Sequence, residues 1–557
     1  MTTATATRPT PARSPEPVRG GGALTGTGTL IRFNLRRDRI RLPVWLLVLL
    51  LVTLSSASSF EATYPEAADR ARIADTMNSP AGLALSGPAH YLTDYNYGSM
   101  LAHQTISFAA VLVGIMSVLI VSRHTRTEEE TGRAELLRAS VVGRHAHLTA
   151  ALAVAVIANL VLGLLLAGSL SGYTAYGYTS EGALLYGAQT ASIGIVFAAV
   201  AAVTVQITPH SRGASGWAMA VIGAAYALRA AGDAAGADGS AAWLSWVSPI
   251  GWVEFTYVYV DNRWWPLLLC LAAIVALVLL AYRLSVLRDL GAGLRAARLG
   301  RPTATDALTT PLGFALRLHR GLLIGFTTGV ALLGAMYGSV LGDVENLIEG
   351  VDVLEEALAE LSSSVIDSFA SVIMTPLSVV AAIYAVMAPL RARSEETSGR
   401  AEPLLSTGLS RTRWLGSQLL VGLAGSSLAL LAGGLLFGLT GAASADEGDL
   451  TLRMLGAALA YAPALWVTVG VAALLIGWFP RAAPVAWVLP AGAFLIGYLG
   501  TLLDFPQWLL NLDPFSHVPA LPAAEMSWTP LILLTAVAAV LLAAGLAGIR
   551  RRDLDLK

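Results

Sequence analysis

The sequence predicts an all-α integral membrane protein of about twelve transmembrane helices, built as two parallel six-helix repeats. Three observations predict this fold: the composition is apolar, long apolar stretches recur along the chain, and one charged motif occurs twice. Apolar residues make up 55% of the chain and charged residues only 13%, whereas ordinary soluble proteins contain roughly 25% charged residues.

The charge and cysteine content exclude several classes of protein. The net charge of −1 provides no concentrated basic face, so we expect no nucleic-acid partner. The single cysteine, Cys270, excludes an intramolecular disulfide and a thiolate metal cluster. His145 and His147 lie in one loop without a third ligand nearby, so no metal site is expected.

Twelve apolar stretches are long enough to cross a bilayer as helices, because a helix satisfies its own backbone hydrogen bonds. They are 42–60, 99–121, 147–170, 183–207, 213–230, 264–282, 321–341, 367–390, 416–440, 453–478, 483–503 and 528–549. A thirteenth segment, 245–263, is aromatic but broken by Pro249 and Gly251. We expect it to be an interfacial or re-entrant element on the outer side of the membrane.

The positions of the basic residues predict the topology. If the N-terminus is cytoplasmic and the spans alternate, only five of the 36 arginines and lysines lie outside, which leaves 36 − 5 = 31 inside. The five are Arg70, Arg72, Arg229, Arg263 and Arg453. Because basic residues concentrate in cytoplasmic loops, this distribution favours a multi-pass protein with both termini in the cytoplasm.

These spans predict the domain organisation. We expect a flexible cytoplasmic tail, a first membrane half with a charged loop, a cytoplasmic linker, and a second membrane half with its own charged loop. In that order, the ranges are 1–29, 30–290 with the loop 122–146, 291–311, and 312–557 with the loop 391–414. Glycines at four-residue spacing predict close helix packing at Gly321, Gly325 and Gly329, and at Gly434 and Gly438.

The charged loops contain an internal repeat. Residues 126–144 and 393–411 align without gaps at an offset of 399 − 132 = 267, and nine of the nineteen positions are identical. The identical pairs are Arg126/Arg393, Glu128/Glu395, Glu129/Glu396, Gly132/Gly399, Arg133/Arg400, Ala134/Ala401, Glu135/Glu402, Leu137/Leu404 and Arg144/Arg411. Six predicted spans separate the copies, so both face the same side and the halves are parallel repeats.

The repeated pattern Glu-Glu-x-x-Gly-Arg-x-Glu-x-Leu resembles the cytoplasmic coupling segment of type-2 permeases of ATP-binding-cassette exporters. More narrowly, two fused halves are similar to actinobacterial permeases described as exporters of polyketide antibiotics and other drugs. The resemblance implies a bacterial plasma-membrane protein that binds two copies of a cytoplasmic ATP-binding subunit through these segments. The residues it implies for ATPase coupling are Glu128, Glu129, Gly132, Arg133 and Glu135, with Glu395, Glu396, Gly399, Arg400 and Glu402 in the second copy.

ATP and Mg²⁺ are expected on the partner subunit, with no cofactor bound by this chain. A phosphate-binding loop needs a Gly-Lys-Ser/Thr element, and the only lysine is Lys557. The chain is therefore not expected to be an enzyme on its own. In the second copy Pro403 replaces Leu136, so the two partner contacts are not expected to be equivalent.

A small set of polar and aromatic side chains within the spans could line a substrate path. They are His103, Gln104, Trp217, Tyr226, Trp487, Phe494 and Tyr498. For the first two, hydrogen bonding between helices is the favoured interpretation. For the aromatic residues, packing or interface anchoring is an equally open one.

The resulting functional expectation is an ATP-driven exporter that moves apolar or amphipathic small molecules outward. A twelve-helix carrier driven by an ion gradient is the main alternative, and it requires a charged residue within the membrane. A membrane enzyme acting on lipid-linked substrates is a second alternative, which requires clustered acids or histidines at an interface.

Overall fold

The computed structural model describes residues 22–138, 142–176, 178–237, 239–289, 291–294, 302–343, 365–499 and 507–553. Within these ranges the chain is helical and contains no β-strand. It divides into two compact units, Met1–Arg298 and Leu299–Lys557. Most of the predicted tail (1–21) and the middle of the predicted linker (295–301) lie outside the described residues.

The first unit contains thirteen α-helices within its described residues. They are α1 (Thr27–Arg37), α2 (Arg41–Thr63), α3 (Ala67–Met77), α4 (Pro80–Ser86), α5 (Tyr97–Arg123), α6 (Arg126–Glu130), α7 (Arg133–Arg138), α8 (Ala146–Leu170), α9 (Ser180–Ile207), α10 (Ser211–Ala234), α11 (Trp243–Val247), α12 (Pro249–Glu254) and α13 (Leu267–Val286). Helices α5, α8 and α9 form its buried centre, whereas α2 and α13 expose most of their leucines and valines. That exposure suits a lipid bilayer, because the apolar side chains on the outside of these helices contact lipid chains there.

The second unit contains nine α-helices within its described residues. They are α14 (Pro311–Ser339), α15 (Val365–Thr397), α16 (Glu402–Leu405), α17 (Arg411–Ala445), α18 (Leu450–Ala460), α19 (Ala462–Trp478), α20 (Val488–Leu499), α21 (Gln507–Leu510) and α22 (Trp528–Arg551). Helix α15 is continuous through Pro376 and Pro389. Helices α15, α17 and α19 form the buried centre of this unit.

The fold class predicted from the sequence is confirmed. Ten helical segments of the described chain, one of them made of α18 and α19 together, are long and apolar enough to cross a membrane, and they coincide with all predicted spans except the fifth and the eleventh. The fifth is the 24-residue helix α10, which is more polar than the others. The eleventh consists of a 3₁₀ turn, Ala483–Trp487, followed by the shorter apolar helix α20.

Several long helices begin at a side chain that accepts a hydrogen bond from the first turn. Thr179 accepts from the amide of Gly182, Thr310 from Gly313, and Ser410 from Arg413. Such caps satisfy backbone donors that have no partner within the helix. Sequence-local chemistry therefore determines where these helices start.

Small residues allow close helix packing, although not at every predicted position. A Cβ on Gly163 of α8 would lie 2.6 Å from the carbonyl oxygen of Gly187 on α9. Gly434 and Gly438 also pack closely, as predicted. The prediction for Gly321, Gly325 and Gly329 is wrong within the described residues, because a Cβ at each would meet no atom within 4 Å. Spacing alone does not reveal which face of a helix meets a neighbour.

Candidate functional site

The candidate site comprises the two repeated segments, which we name repeat element 1 (residues 126–144) and repeat element 2 (393–411). Each contains a helical segment, a glycine turn and a short helix; the first segment is the short helix α6 in element 1 and the end of the long helix α15 in element 2. Gly132 and Gly399 both have φ of +72°, a left-handed conformation that costs a residue with a Cβ about 1–2 kcal/mol. The two elements therefore turn in the same way at the repeated glycine.

The elements differ in how they join the preceding long helix. In the first unit α5 ends at Arg123, and Thr125 leaves the helical conformation before α6 begins. In the second unit α15 continues without interruption to Thr397. Pro403 lies in the first turn of α16, where a missing amide hydrogen has no consequence, so the proline is accommodated there.

Glu129 is the most heavily engaged acid of repeat element 1. Arg288, just beyond the end of α13, donates to both carboxylate oxygens, with Nη2–Oε1 at 2.7 Å and Nη1–Oε2 at 2.9 Å. The buried Arg126 adds a contact of 2.5 Å between Nη1 and Oε2. A bidentate arginine fixes the geometry as well as neutralising the charge. We call the Arg288–Glu129 pair clamp 1.

Repeat element 2 contains the equivalent pair. Arg552, just beyond the end of α22, donates to Glu396 with Nη1–Oε1 at 2.6 Å and Nη2–Oε2 at 2.7 Å. Arg393 lies 3.2 Å from the same carboxylate, which is fully buried. We call the Arg552–Glu396 pair clamp 2. Both units thus hold the second glutamate of the repeat with one arginine from the element and one from beyond the last long helix.

A second contact ties each element to the same helix end. Arg144 donates to the carbonyl oxygen of Val286 at 2.9 Å, and Arg411 donates to that of Arg552 at 2.7 Å. Because Arg144 and Arg411 are one of the identical pairs of the repeat, the two contacts correspond to each other. Each element is therefore held at both of its ends by the region that follows the last helix of its unit.

The first glutamate of each repeat is also engaged within the chain. Glu128 pairs with Arg37 of α1 and lies 3.8 Å from Arg133. Glu395 accepts from Nε of Arg400 at 2.8 Å. The four glutamates therefore have partners inside their own units, and their predicted contact with an ATPase stays a prediction.

The other predicted coupling residues have a different environment. Arg133 and Arg400 keep 57% and 59% of their side-chain surface accessible, and Glu135 and Glu402 are exposed. In each element, therefore, one arginine and one glutamate are exposed, whereas the second glutamate of the repeat is buried and ion-paired. An exposed pair of opposite charges on a fixed support can form charge-assisted hydrogen bonds with another protein.

Arg288 and Arg552 are functional candidates that sequence reasoning missed. A detectable pattern exists: Arg-Asp-Leu occurs at 288–290 and at 552–554, an offset of 552 − 288 = 264. The same offset relates Trp264-x-Pro266 to Trp528-x-Pro530. The last span of each half therefore repeats together with the arginine that follows it.

The predicted substrate-path residues of the first unit are partly brought together. His103 is buried and bonded through Nδ1 to the Tyr95 hydroxyl at 3.0 Å, which also accepts from Gln104 at 3.1 Å. Gln104 and Phe108 line a groove of about 280 Å³ between α2 and α5. Tyr226 lies against Phe108, with ring centroids 6.4 Å apart. Their role as a path stays a prediction.

The remaining predicted path residues show no common arrangement. Trp217, Trp487 and Phe494 are exposed by 54%, 39% and 50%, and the side chain of Tyr498 lies outside the described residues. Exposed aromatic residues in apolar segments of a membrane protein are typical of contact with lipid at the interface. Their surroundings within each unit give no support for a path.

A buried charged network in the first unit was not anticipated. Arg229 of α10 lies 3.4 Å from Oδ2 of Asp233 and 3.5 Å from Oε1 of Glu254, and all three are buried. Ser245 donates to Asp233 at 2.7 Å, and Ser107 donates to Glu254. Both acids lie outside the predicted spans, which is why the sequence did not point to them. The spacing of Arg229 and Asp233, four residues apart on one helix, could have indicated the pair.

Comparison with known proteins agrees with the repeat. The family model "Multidrug efflux system permease Rv1217c, C-terminal domain" matches residues 28–284 and 308–550, one range in each unit. The multidrug efflux system permease protein Rv1217c of Mycobacterium tuberculosis (strain ATCC 25618 / H37Rv) is 40% identical over 552 residues, which cover 98% of each chain. The chain therefore belongs to the Rv1217c family of multidrug efflux system permeases, with both halves fused in one polypeptide.

Proposed function

We propose that this chain is the membrane-spanning permease subunit of an ATP-driven exporter of apolar or amphipathic small molecules. Two copies of a separate cytoplasmic ATP-binding subunit carry ATP and Mg²⁺, and one copy binds at each repeat element. The chain itself hydrolyses nothing. Both termini and both elements lie on the cytoplasmic side of a bacterial plasma membrane.

One observation carries this proposal: the chain presents the same charged turn twice, on the same kind of buried ionic support. In each element the glutamates at the base are neutralised within the chain, whereas Arg133 and Glu135, or Arg400 and Glu402, are exposed. Two similar docking surfaces suit two copies of one partner. The relative from Mycobacterium tuberculosis is named a multidrug efflux system permease protein, which supports the outward direction.

The nature of the cargo follows from the lack of charge along the spans. Apart from the Arg229 network, the candidate path residues are aromatic or neutral polar groups. A charged substrate would leave its charge without a partner in such surroundings, and an unpaired charge in a low-dielectric medium is costly. An apolar or amphipathic molecule avoids that cost.

The buried network favours one alternative, a carrier driven by a proton gradient. Asp233 and Glu254 share a single arginine, so the network carries one formal negative charge more than positive, which a proton could neutralise. This alternative predicts that Glu254→Gln and an uncoupler each abolish transport while ATP is present. The exporter predicts that ATP-dependent transport persists under both conditions.

The test of the proposal is purification of the tagged chain from its native membranes with identification of the proteins that remain bound. We expect a stoichiometric ATP-binding subunit and ATP hydrolysis in the purified sample. The double variant Glu135→Lys, Glu402→Lys reverses the exposed acids and should release that subunit. Asp306→Lys, at an exposed acid outside both elements, is the matched control and should retain it.

Two outcomes would contradict the proposal. A chain that purifies alone, remains folded and transports only with a proton gradient would be a carrier. If the double variant retained the ATP-binding subunit as well as the control does, the repeat elements would not be the docking surfaces of that subunit.

A further inference from the structure

The two clamps connect distant parts of the sequence in the same way in both units. Arg288 is 159 residues from Glu129, and Arg552 is 156 residues from Glu396. Each arginine follows the last long helix of its unit, and each glutamate lies in the repeat element. Because the arrangement occurs twice, once per unit, it is a property of the repeat rather than a local accident of packing.

A bidentate pair resists displacement better than a single contact. Two parallel hydrogen bonds hold the guanidinium and carboxylate planes together, so neither group can rotate freely about the other. The Arg144 and Arg411 bonds add a second connection to the same helix end. A movement of either element is therefore transmitted to the end of α13 or of α22.

We propose that Arg288 and Arg552 are positioning residues that convey the movement of each repeat element to the last membrane helix of its unit. This inference rests on the proposed function, because the bound ATPase supplies the movement. The clamp fixes the element below the exposed arginine and glutamate that meet the partner. Without the clamp, a movement of the element by the partner would not be transmitted to the last membrane helix.

The two clamps are not equally important. Repeat element 1 is joined to α5 through the non-helical residue Thr125, so it lacks a continuous helical connection and depends on side-chain contacts such as clamp 1 and the bond from Ser211 of α10 to Glu130. Repeat element 2 is continuous with α15, which provides a second rigid connection. Loss of Arg288 should therefore impair coupling more than loss of Arg552.

The experiment uses the chain with its ATP-binding subunit in proteoliposomes and measures the transport of Nile red, a neutral lipophilic dye, per ATP hydrolysed. We expect Arg288→Ala to lower this ratio about tenfold and Arg552→Ala about threefold, within the range of coupling effects of single residues. The matched controls are Arg283→Ala on α13 and Arg550→Ala on α22, exposed arginines that lie five and two residues before the arginine of their clamp. They should leave the ratio unchanged.

Added methylguanidinium separates a connecting role from charge neutralisation. In Arg288→Ala the free cation can occupy the position facing Glu129, which lines a polar cavity of about 190 Å³. It would restore the second cation that faces Glu129 and raise the melting temperature, yet it has no covalent link to α13. We therefore expect recovery of stability without recovery of the transport ratio.

A conservative variant covers the case in which Arg288→Ala does not assemble. Arg288→Lys keeps the positive charge but cannot form two parallel hydrogen bonds with a carboxylate. Its ratio should fall about threefold, with ATP hydrolysis retained.

The outcomes for the inference and for the proposed function are distinct. If Arg288→Ala or Arg288→Lys transports as much dye per ATP as Arg283→Ala, or if methylguanidinium restores the ratio, the connecting role is overturned and the exporter stands. If the unmodified complex neither hydrolyses ATP nor moves dye, the proposed function is wrong and the inference is overturned with it.

Discussion

Glu129→Gln offers a test of the buried ionic base that is independent of any partner. The substitution keeps the size of the side chain and removes its negative charge. Arg126, which is fully buried, would then face Arg288 without the carboxylate between them. The expected result is a large loss of stability of the first unit.

The magnitude follows from the contacts that are lost. Removing one partner of a buried ion pair costs about 3–5 kcal/mol, because the remaining charge is left in a medium of low dielectric constant. Two features favour the lower end of this range. Arg126 keeps its bond to the carbonyl oxygen of Ala292 at 2.9 Å, and Arg288 is accessible over 9% of its side chain. We expect a loss of about 3 kcal/mol in the free energy of unfolding.

Arg288→Ala should cost less than Glu129→Gln. Glu129 would keep its 2.5 Å contact with Arg126, so no buried charge would lose its last partner. A loss of about 1–2 kcal/mol is expected, since one charge-assisted interaction disappears. In the double variant the two losses should not add, because both substitutions remove the same interaction.

Cys270 provides the assay, since it is the only cysteine and is fully buried on α13. A thiol-reactive fluorogenic dye therefore reports when the first unit opens on heating. A loss of about 3 kcal/mol corresponds to a drop of roughly 6 °C in melting temperature for a unit of this size. Glu135→Gln, at an exposed glutamate of the same element, is the matched control and should shift the melting temperature only slightly.

An equal melting temperature for Glu129→Gln and Glu135→Gln would refute this reasoning. It would mean that Arg126, Glu129 and Arg288 do not form ion pairs in the folded protein. Clamp 1 would then contribute nothing to the stability of the first unit. A larger effect of Arg288→Ala than of Glu129→Gln would refute the ranking, because it would show that Arg126 does not support the carboxylate.

Three further predictions concern stability. Burial raises the pKa of Asp513 to about 6, so the folded state binds this proton more tightly than the unfolded state does. The free energy of unfolding therefore falls by about 3 kcal/mol in total as the pH rises from about 4 through 6. Asp513→Asn should melt above the unmodified protein at pH 8, and the difference should shrink toward pH 4. Gly163→Ala should lower the melting temperature measured with the thiol dye, because its Cβ would press on the Gly187 carbonyl, whereas Gly168→Ala on the same helix meets open space and should not. Gly399→Ala should cost about 1–2 kcal/mol, read from tryptophan fluorescence on heating, because of the left-handed backbone.

The ion-gradient alternative gains weight only through tertiary structure. In the sequence, Glu254 belongs to an aromatic segment outside the predicted spans, and Arg229 appears as one of five arginines on the outer side. Packing of α10 against α11 and α12 brings these groups and Asp233 together. Hydropathy averages over neighbours in sequence and therefore cannot detect a charge that is neutralised by a residue 25 positions away.

The sequence by itself determined the membrane class, most of the spans and the repeat. Transfer of a helix into lipid depends on about 20 consecutive residues, which makes span prediction a local problem. The identity of nine positions at a constant offset likewise requires no structure. The same local chemistry places the repeated glycine at the turn of each element, because only glycine adopts that backbone conformation without cost.

Only the tertiary structure decided which glutamates are buried and which arginines neutralise them. Glu128 and Glu135 look alike in the sequence, yet one is enclosed by Arg37 and the other is exposed. Glu129 and Glu396 each have one arginine partner three residues away and a second one, Arg288 or Arg552, that comes from more than 150 residues away. Such pairs depend on how complete helices pack, since the position of each helix end is set by many apolar contacts along its length and not by the charged residues that meet there.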